Sequence, residues 1–371
     1  MRPQSRTVVA FLVRLHHGEL VPGSAVVKCI TEATRNGMGR RRNGLATITR
    51  LTFVGFCIVV LGTPKASPQR QDPPALGSTL KAATTAVNVY AVVRDGKGRL
   101  IPDLNKDDFE LEEESVKQRI DYFARETGIP LSLGMIIDTS PSQDRVLAKE
   151  QEEAKEFVRQ VLGANDQAFL VRFDLDVELT QDFTNNAELL VRAIHDVRIN
   201  YAERPLLNEP FPGASAGGSH LYDAVYLASN ELMKSQVGRK VLILVTDGED
   251  QGSKISPATA LAAAERADVI IYCVAVSDPE FYRERGMGFK GDSALRKISE
   301  KTGGRLIRVN GYKRNTTPAF REIAKELRTE YFLGYSPTNL QHDGSFRKIR
   351  LRITDGNYKV QARRGYYSPK D

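Results

Sequence analysis

Asp138, Ser140 and Ser142 stand two residues apart in the run LSLGMIIDTSPS, where an apolar, strand-like stretch ends in a carboxylate followed by hydroxyls. In an open parallel sheet, ligands bind outside the carboxyl ends of the strands, which is where such a loop must lie. A carboxylate with hydroxyls two and four residues later can turn three oxygens toward one point. Hard oxygen donors of this kind suit Mg²⁺, Ca²⁺ or Mn²⁺ and not zinc. In isolation, Ser before a helix is more often a cap. Two further segments shift that balance. KVLILVTDGEDQG ends another apolar stretch in Asp247, with Gly248 free to make a sharp turn. AGGSHLYDAV places Ser219 after two glycines and directly before a helix, with Asp223 one turn on as a cap or an orienting group. Asp247 alone would read as a turn aspartate; three such loops together read as one cation site.

The elements that must position these loops follow from periodicity. From Ile129 onward, strands alternate with helices, which implies a mostly parallel, doubly wound α/β sheet covered on both faces. Strands are expected at 131–137, 168–173, 241–245, 269–276 and 305–309. Helices are expected at 144–162, 187–197, 221–234, 257–267, 293–301 and 318–329. FLVRFDLDVELTQDF reads as a hairpin turning at Asp174 to Asp176, which sets one antiparallel strand in the sheet. On either side the pattern alternates with period two. Residues 84–127 form a β unit with turns at Asp95-Gly96 and Lys97-Gly98. Residues 331–371 form C-terminal strands with turns at Asp343-Gly344 and Asp355-Gly356. The two flanks are expected to build one small β-sandwich, with the α/β domain of 128–330 inserted between them; two separate β modules are the alternative.

At DTSPS, GGSHLYDA, LVTDGED and the terminal FRKIRLRI and ARRGYY, the chain resembles the von Willebrand factor type A family, and within it the von Willebrand-related domain family common in Acidobacteria. The resemblance spans roughly 84–368. It implies a metal-ion-dependent adhesion site in which Asp138, Ser140 and Ser142 supply the first loop. Ser219 takes a place usually held by Thr, and Asp247 contributes the last carboxylate, often through water. Ser keeps the hydroxyl but loses the methyl that packs the loop, a change that bears on affinity. It further implies a non-enzymatic binding module whose bound Mg²⁺, or Ca²⁺ or Mn²⁺, keeps an open position for the Asp or Glu of a protein partner. The segment 200–217, with Pro205, Pro210 and Pro212, is expected to form part of the rim.

Charge and cysteine usage bound the remaining classes. The net charge of +7 is concentrated at the start, where ten Lys and Arg within 1–66 face only Glu19 and Glu32. Residues 67–371 carry 43 basic and 44 acidic side chains, which gives no electrostatic case for a nucleic-acid partner. Within the N-terminal extension 1–66, Arg40, Arg41, Arg42 and Arg50 precede the apolar run 51–62 and small residues through Ala66, the pattern of an export signal cleaved near Ala66. An uncleaved anchor, the one route to a membrane, is the alternative, and translation from Met38 is a second start. Residues 67–83 read as a flexible linker. The expected location is outside the cytoplasm: periplasmic, cell-surface or secreted. Cys29 and Cys57 fall in the segment expected to be lost, which leaves Cys273 as a buried strand thiol.

Three other readings carry less. Gly286, Gly288 and Gly291 spell GxGxxG, but PEFYRERG separates them from the preceding strand, whereas a dinucleotide fingerprint follows its strand at once; the stretch reads as a mobile loop. A metal-dependent hydrolase or phosphotransferase would need a second acid/base group where Ser140 stands. A metal-independent scaffold of the cell envelope would retain the fold without the cation. The basic stretch from Arg347 through Arg364 reads as a solvated sheet face.

Overall fold

The computed structural model describes residues 86–125, 128–201, 218–284, 291–310 and 316–370. The expected signal segment, the linker and most of the proline-bearing rim lie outside them. The first strands are β1 (Val87–Arg94), β2 (Phe109–Glu113), β3 (Val116–Gln118) and β4 (Ile120–Arg125). The α/β part then runs through β5 (Leu131–Asp138), α1 (Leu147–Val161), β6 (Gln167–Phe173), β7 (Val177–Thr184) and α2 (Ala187–Asp196). It continues with α3 (Leu221–Tyr226), β8 (Arg239–Thr246), α4 (Pro257–Arg266) and β9 (Val269–Ser277). It closes with α5 (Pro279–Glu284), α6 (Gly291–Thr302), β10 (Leu306–Asn310) and α7 (Thr317–Arg328). The last strands are β11 (Tyr331–Tyr335), β12 (Phe346–Ile353), β13 (Lys359–Ala362) and β14 (Gly365–Tyr367).

The central sheet has the order β10-β9-β8-β5-β6-β7, parallel throughout except for β7, which returns antiparallel on β6. All eight residues of β5 are buried, because helices cover both faces of the sheet. The chain leaves β5 toward β6 on one side and later returns to β8 on the other. The loops after β5 and β8 therefore diverge at a switch point, and Asp138 and Asp247 sit there.

Gly134, midway along β5, is a close-approach glycine. A Cβ there would lie 2.3 Å from both Leu242 Cδ2 and Phe169 Cζ. Gly134→Ala is expected to lower stability by about 1–3 kcal/mol through overpacking, read as a lower urea midpoint at unchanged m-value. An unshifted midpoint would mean that the Phe169 ring yields without cost.

Local differences from the sequence reading have identifiable causes. The helix expected from Asp144 begins at Leu147, because Pro141–Gln143 first makes a 3₁₀ turn that keeps Ser142 in the loop. The helix expected over 221–234 is α-helical to Tyr226 and π-helical over Leu227–Met233. PEFYRE, read as part of a loop, is α5; six residues are too few to show a helical period. Gly286 and Gly288 lie outside the described residues, and Gly291 opens α6.

The flanking strands pair across the insertion. One sheet has the order β13-β1-β11-β4 and the other β14-β12-β2-β3, with Val89, Val93, Leu111, Leu333 and Tyr335 among the residues buried between them. Arg347 departs from the solvated-face expectation. It is buried opposite Glu113 at 3.5 Å, where Glu113 also accepts from Tyr335 Oη (2.7 Å) and Tyr366 Oη (3.0 Å). Lys348, Arg350 and Arg352 on the alternate positions are exposed. The sandwich joins the α/β part through Glu326, a fully buried residue of α7 that pairs with Arg94 of β1, with Arg305 (2.5 Å) and with Gln361 of β13 (3.2 Å).

Candidate metal centre

The loop after β5 folds back on its own carboxylate. Ser140 N donates to Asp138 Oδ1 (2.9 Å), and the 3₁₀ turn brings Ser140 Oγ within 3.0 Å of Ser142 Oγ. Ser219 Oγ reaches Asp138 Oδ2 at 3.4 Å, and Thr246 Oγ1 donates to the same oxygen at 2.5 Å. Asp247 Oδ2 accepts from Gln143 Nε2 (2.9 Å) and from Tyr282 Oη (2.5 Å), and its Oδ1 accepts from Glu249 N (3.1 Å). Gln143 Nε2 also donates to Ser142 Oγ at 3.3 Å. Asp138, Ser140, Ser142, Ser219 and Asp247 are thus linked into one cluster by direct contacts or through Gln143 and Thr246.

The backbone holds the loops in this register. His220 N donates to Asp174 O (2.8 Å), which sets Ser219 against the hairpin turn after β6, and Gln251 N donates to Ser219 O (2.9 Å). Thr139 Oγ1 donates to the Asp174 carboxylate (2.6 Å), as does Asn200 Nδ2 (2.9 Å). Asp223 performs the orienting role: its carboxylate accepts from Ile255 N (2.8 Å) and Lys254 N (3.2 Å), beyond the Asp247 loop. Gly248 takes φ of +84° to turn the chain away from Asp247, and Gly291 at the start of α6 packs so closely that a Cβ would fall 2.0 Å from Asp247 O.

The electrostatics identify what the cluster lacks. Asp138 and Asp247 are 0 % and 1 % exposed, and among the described residues neither pairs with Lys or Arg. Burial, and then the neighbouring Asp247, push the Asp138 carboxyl up to about 7. Burial likewise raises Asp247. Buried carboxylates are normally paired or bound to a metal. Two of them beside three hydroxyls, with no cationic side chain, fit a hard divalent ion. His, Cys, Asp and Glu do not gather in a group of three or more that could hold a metal among the described residues, so the donors here are chiefly the two Asp and the hydroxyls.

Three groups were not among the sequence candidates. Thr246 adjoins Asp247 and Gln143 adjoins Ser142, so proximity in sequence was a usable signal for both. Tyr282 arrives from α5, 35 residues beyond Asp247, and no spacing rule links them.

A family model described as "von Willebrand factor type A domain" matches residues 133–322, just over half of the chain. An uncharacterized protein of Borreliella burgdorferi is 24% identical over 193 residues, which is 47% of this chain and 53% of that protein. The chain thus spans about half the length of the curated relative it matches. Among solved structures, BatB from Bacteroides thetaiotaomicron is similar at 19% identity and a TM-score of 0.40, over 53% of this chain and 97% of that one. A von Willebrand factor type A protein from Catenulispora acidiphila is 14% identical with a TM-score of 0.42, over 71% and 73%. Proximal thread matrix protein 1 from the mussel byssus, described with a zinc-occupied MIDAS motif, is 15% identical with a TM-score of 0.41, over 55% and 49%.

Proposed function

The chain belongs to the von Willebrand factor type A domain family, and from that premise we propose that it is a non-enzymatic binding module whose loop cluster holds one divalent cation and engages an acidic side chain of a protein partner. The observation that carries this reading is the pair of buried carboxylates, Asp138 and Asp247, set among Ser140, Ser142 and Ser219 without a cationic partner. Asp138, Ser140, Ser142 and Ser219 would hold the ion, with Asp247 acting directly or through water. When bound, Mg²⁺, Mn²⁺ or Ca²⁺ supplies a positive charge with a coordination position that a partner's Asp or Glu can take. Two carboxylate ligands and neutral hydroxyls leave the ion's coordination sphere unsaturated, so a partner carboxylate can take the open position.

The chain's own residues keep the site ready. Gln143 and Tyr282 fix the Asp247 carboxylate from the turn before α1 and from α5, Asp174 O holds the Ser219 loop through His220 N, and Asp223 ties the start of α3 to residues 254 and 255. Among the described residues, no Lys, Cys or His hydrogen-bonds to either carboxylate. The cluster therefore supplies no nucleophile and base pair, which supports binding over hydrolysis. The N-terminal signal pattern supports a place outside the cytoplasm. Among the described residues, no helix is long and apolar enough to cross a membrane.

The test is calorimetric titration of Mg²⁺, Mn²⁺, Ca²⁺ and Zn²⁺ into the full-length chain, followed by capture of acidic peptides with and without chelator. Saturable one-site binding and metal-dependent capture are expected. No binding of any dication would move the function to metal-independent scaffolding.

A further inference from the structure

Glu150 lies on α1, eight residues past Ser142, and is 1 % exposed. Among the described residues, neither of its carboxyl oxygens has a hydrogen-bond partner and no Lys or Arg pairs with it. A buried carboxyl without partners is costly, and Leu would serve the apolar face of α1 better. Glu150 stands in the first turn of α1, where its N donates to Val146 O (3.1 Å) and Val146 N donates to Gln143 O (3.0 Å), one turn from the ligand loop. Burial, then Asp138, then Asp247 hold its carboxyl well above the usual range. A second oxygen tells the same story. Gln143 Oε1 is also buried and has no partner among the described residues, although Gln143 Nε2 holds Asp247. The region behind the ligand loop therefore carries buried oxygen acceptors in excess of donors, and a source of positive charge or of bound water is what they lack.

We propose that Glu150 is a third carboxylate of the cation site, a positioning residue that acts on the bound dication through its charge and through water held with Gln143, and not as one of the five ligands. This rests on the cation reading above. It deepens that reading, because a third acid behind the loop strengthens the hold on a dication while leaving the outer coordination position to a partner. A Glu150 that is only structural would be kept for packing, and its loss would then weaken the fold without touching metal affinity.

The two roles separate in one experiment on the full-length chain. Mn²⁺ is titrated calorimetrically into the parent, Glu150→Gln and Glu150→Met, and each is melted in chelator. Affinity is expected to fall about ten- to a hundredfold in both variants, while the metal-free melting temperature stays level or rises. Affinity within twofold of the parent in a folded variant overturns the proposal, whether or not the melting temperature drops. If the parent itself binds no Mn²⁺, the cation reading falls and this proposal falls with it. Parent binding that survives in Glu150→Gln removes this proposal alone.

Discussion

Asp138→Asn is expected to lose saturable dication binding, with affinity down at least about a hundredfold, and yet to melt higher than the parent when both are metal-free. The amide nearly matches the carboxylate in shape. Its oxygen can still accept from Ser140 N, and its nitrogen faces the Ser219 and Thr246 hydroxyls, which can rotate to accept. What the substitution removes is a buried charge opposed by Asp247. Losing it should stabilise the metal-free fold by about 1–3 kcal/mol, or several degrees for a domain of this size. In saturating Mn²⁺ the order reverses. Ligand at a thousand times its Kd adds about 4.1 kcal/mol to the parent and nothing to the variant. Thermal melts of both chains, with chelator and with Mn²⁺, give the four values needed. Retained binding would take Asp138 out of the ligand set. A lower metal-free melting temperature would mean that its hydrogen bonds outweigh its charge.

The second large effect is on pH. In the metal-free chain, Asp138 titrates near 7 when folded and near the ordinary aspartate value of 3.8 when unfolded. Between those values the folded state binds more protons than the unfolded one, so stability falls as pH rises. Asp138 contributes at most about 4 kcal/mol to that fall, which begins near pH 4 and levels off above pH 7. Asp247 is shifted in the same direction and adds to it. Metal reverses the trend, because the ion needs the deprotonated carboxylates: affinity should rise with pH up to about 7 and then level. Urea denaturation from pH 5 to 8, with chelator and with Mn²⁺, should show slopes of opposite sign. A flat metal-free profile would show that the two carboxyls are solvated far better than their burial indicates.

Much of the architecture could be read from local pattern. LSLGMIID and KVLILVTD are continuous apolar runs ending in carboxylates, and only strands buried on both faces combine those features. The hairpin at Asp174 announced the antiparallel edge strand, and the spacing of Asp138, Ser140 and Ser142 announced the oxygen cluster. These signals are short-range, set by side-chain period and turn chemistry, and a single chain carries them without its partners.

What the sequence by itself determined is therefore the doubly wound class, the order of its strands and helices, and which loops bear hydroxyls and carboxylates. The tertiary structure alone decided what closes around them. Tyr282 reaches Asp247 from a helix too short to show a period, and Arg347 turns inward to Glu113, more than 230 residues earlier, which pairs with Ile349 two residues along β12. Glu150 reads on paper as one more acid in the charged stretch AKEQEEAKE, where the common fate of such a residue is a solvated helix face. Only the packing of α1 against the sheet shows that it is buried, with no hydrogen-bond partner for its carboxyl among the described residues. Period and spacing are properties of neighbours along the chain, whereas burial and charge pairing depend on which distant surfaces meet.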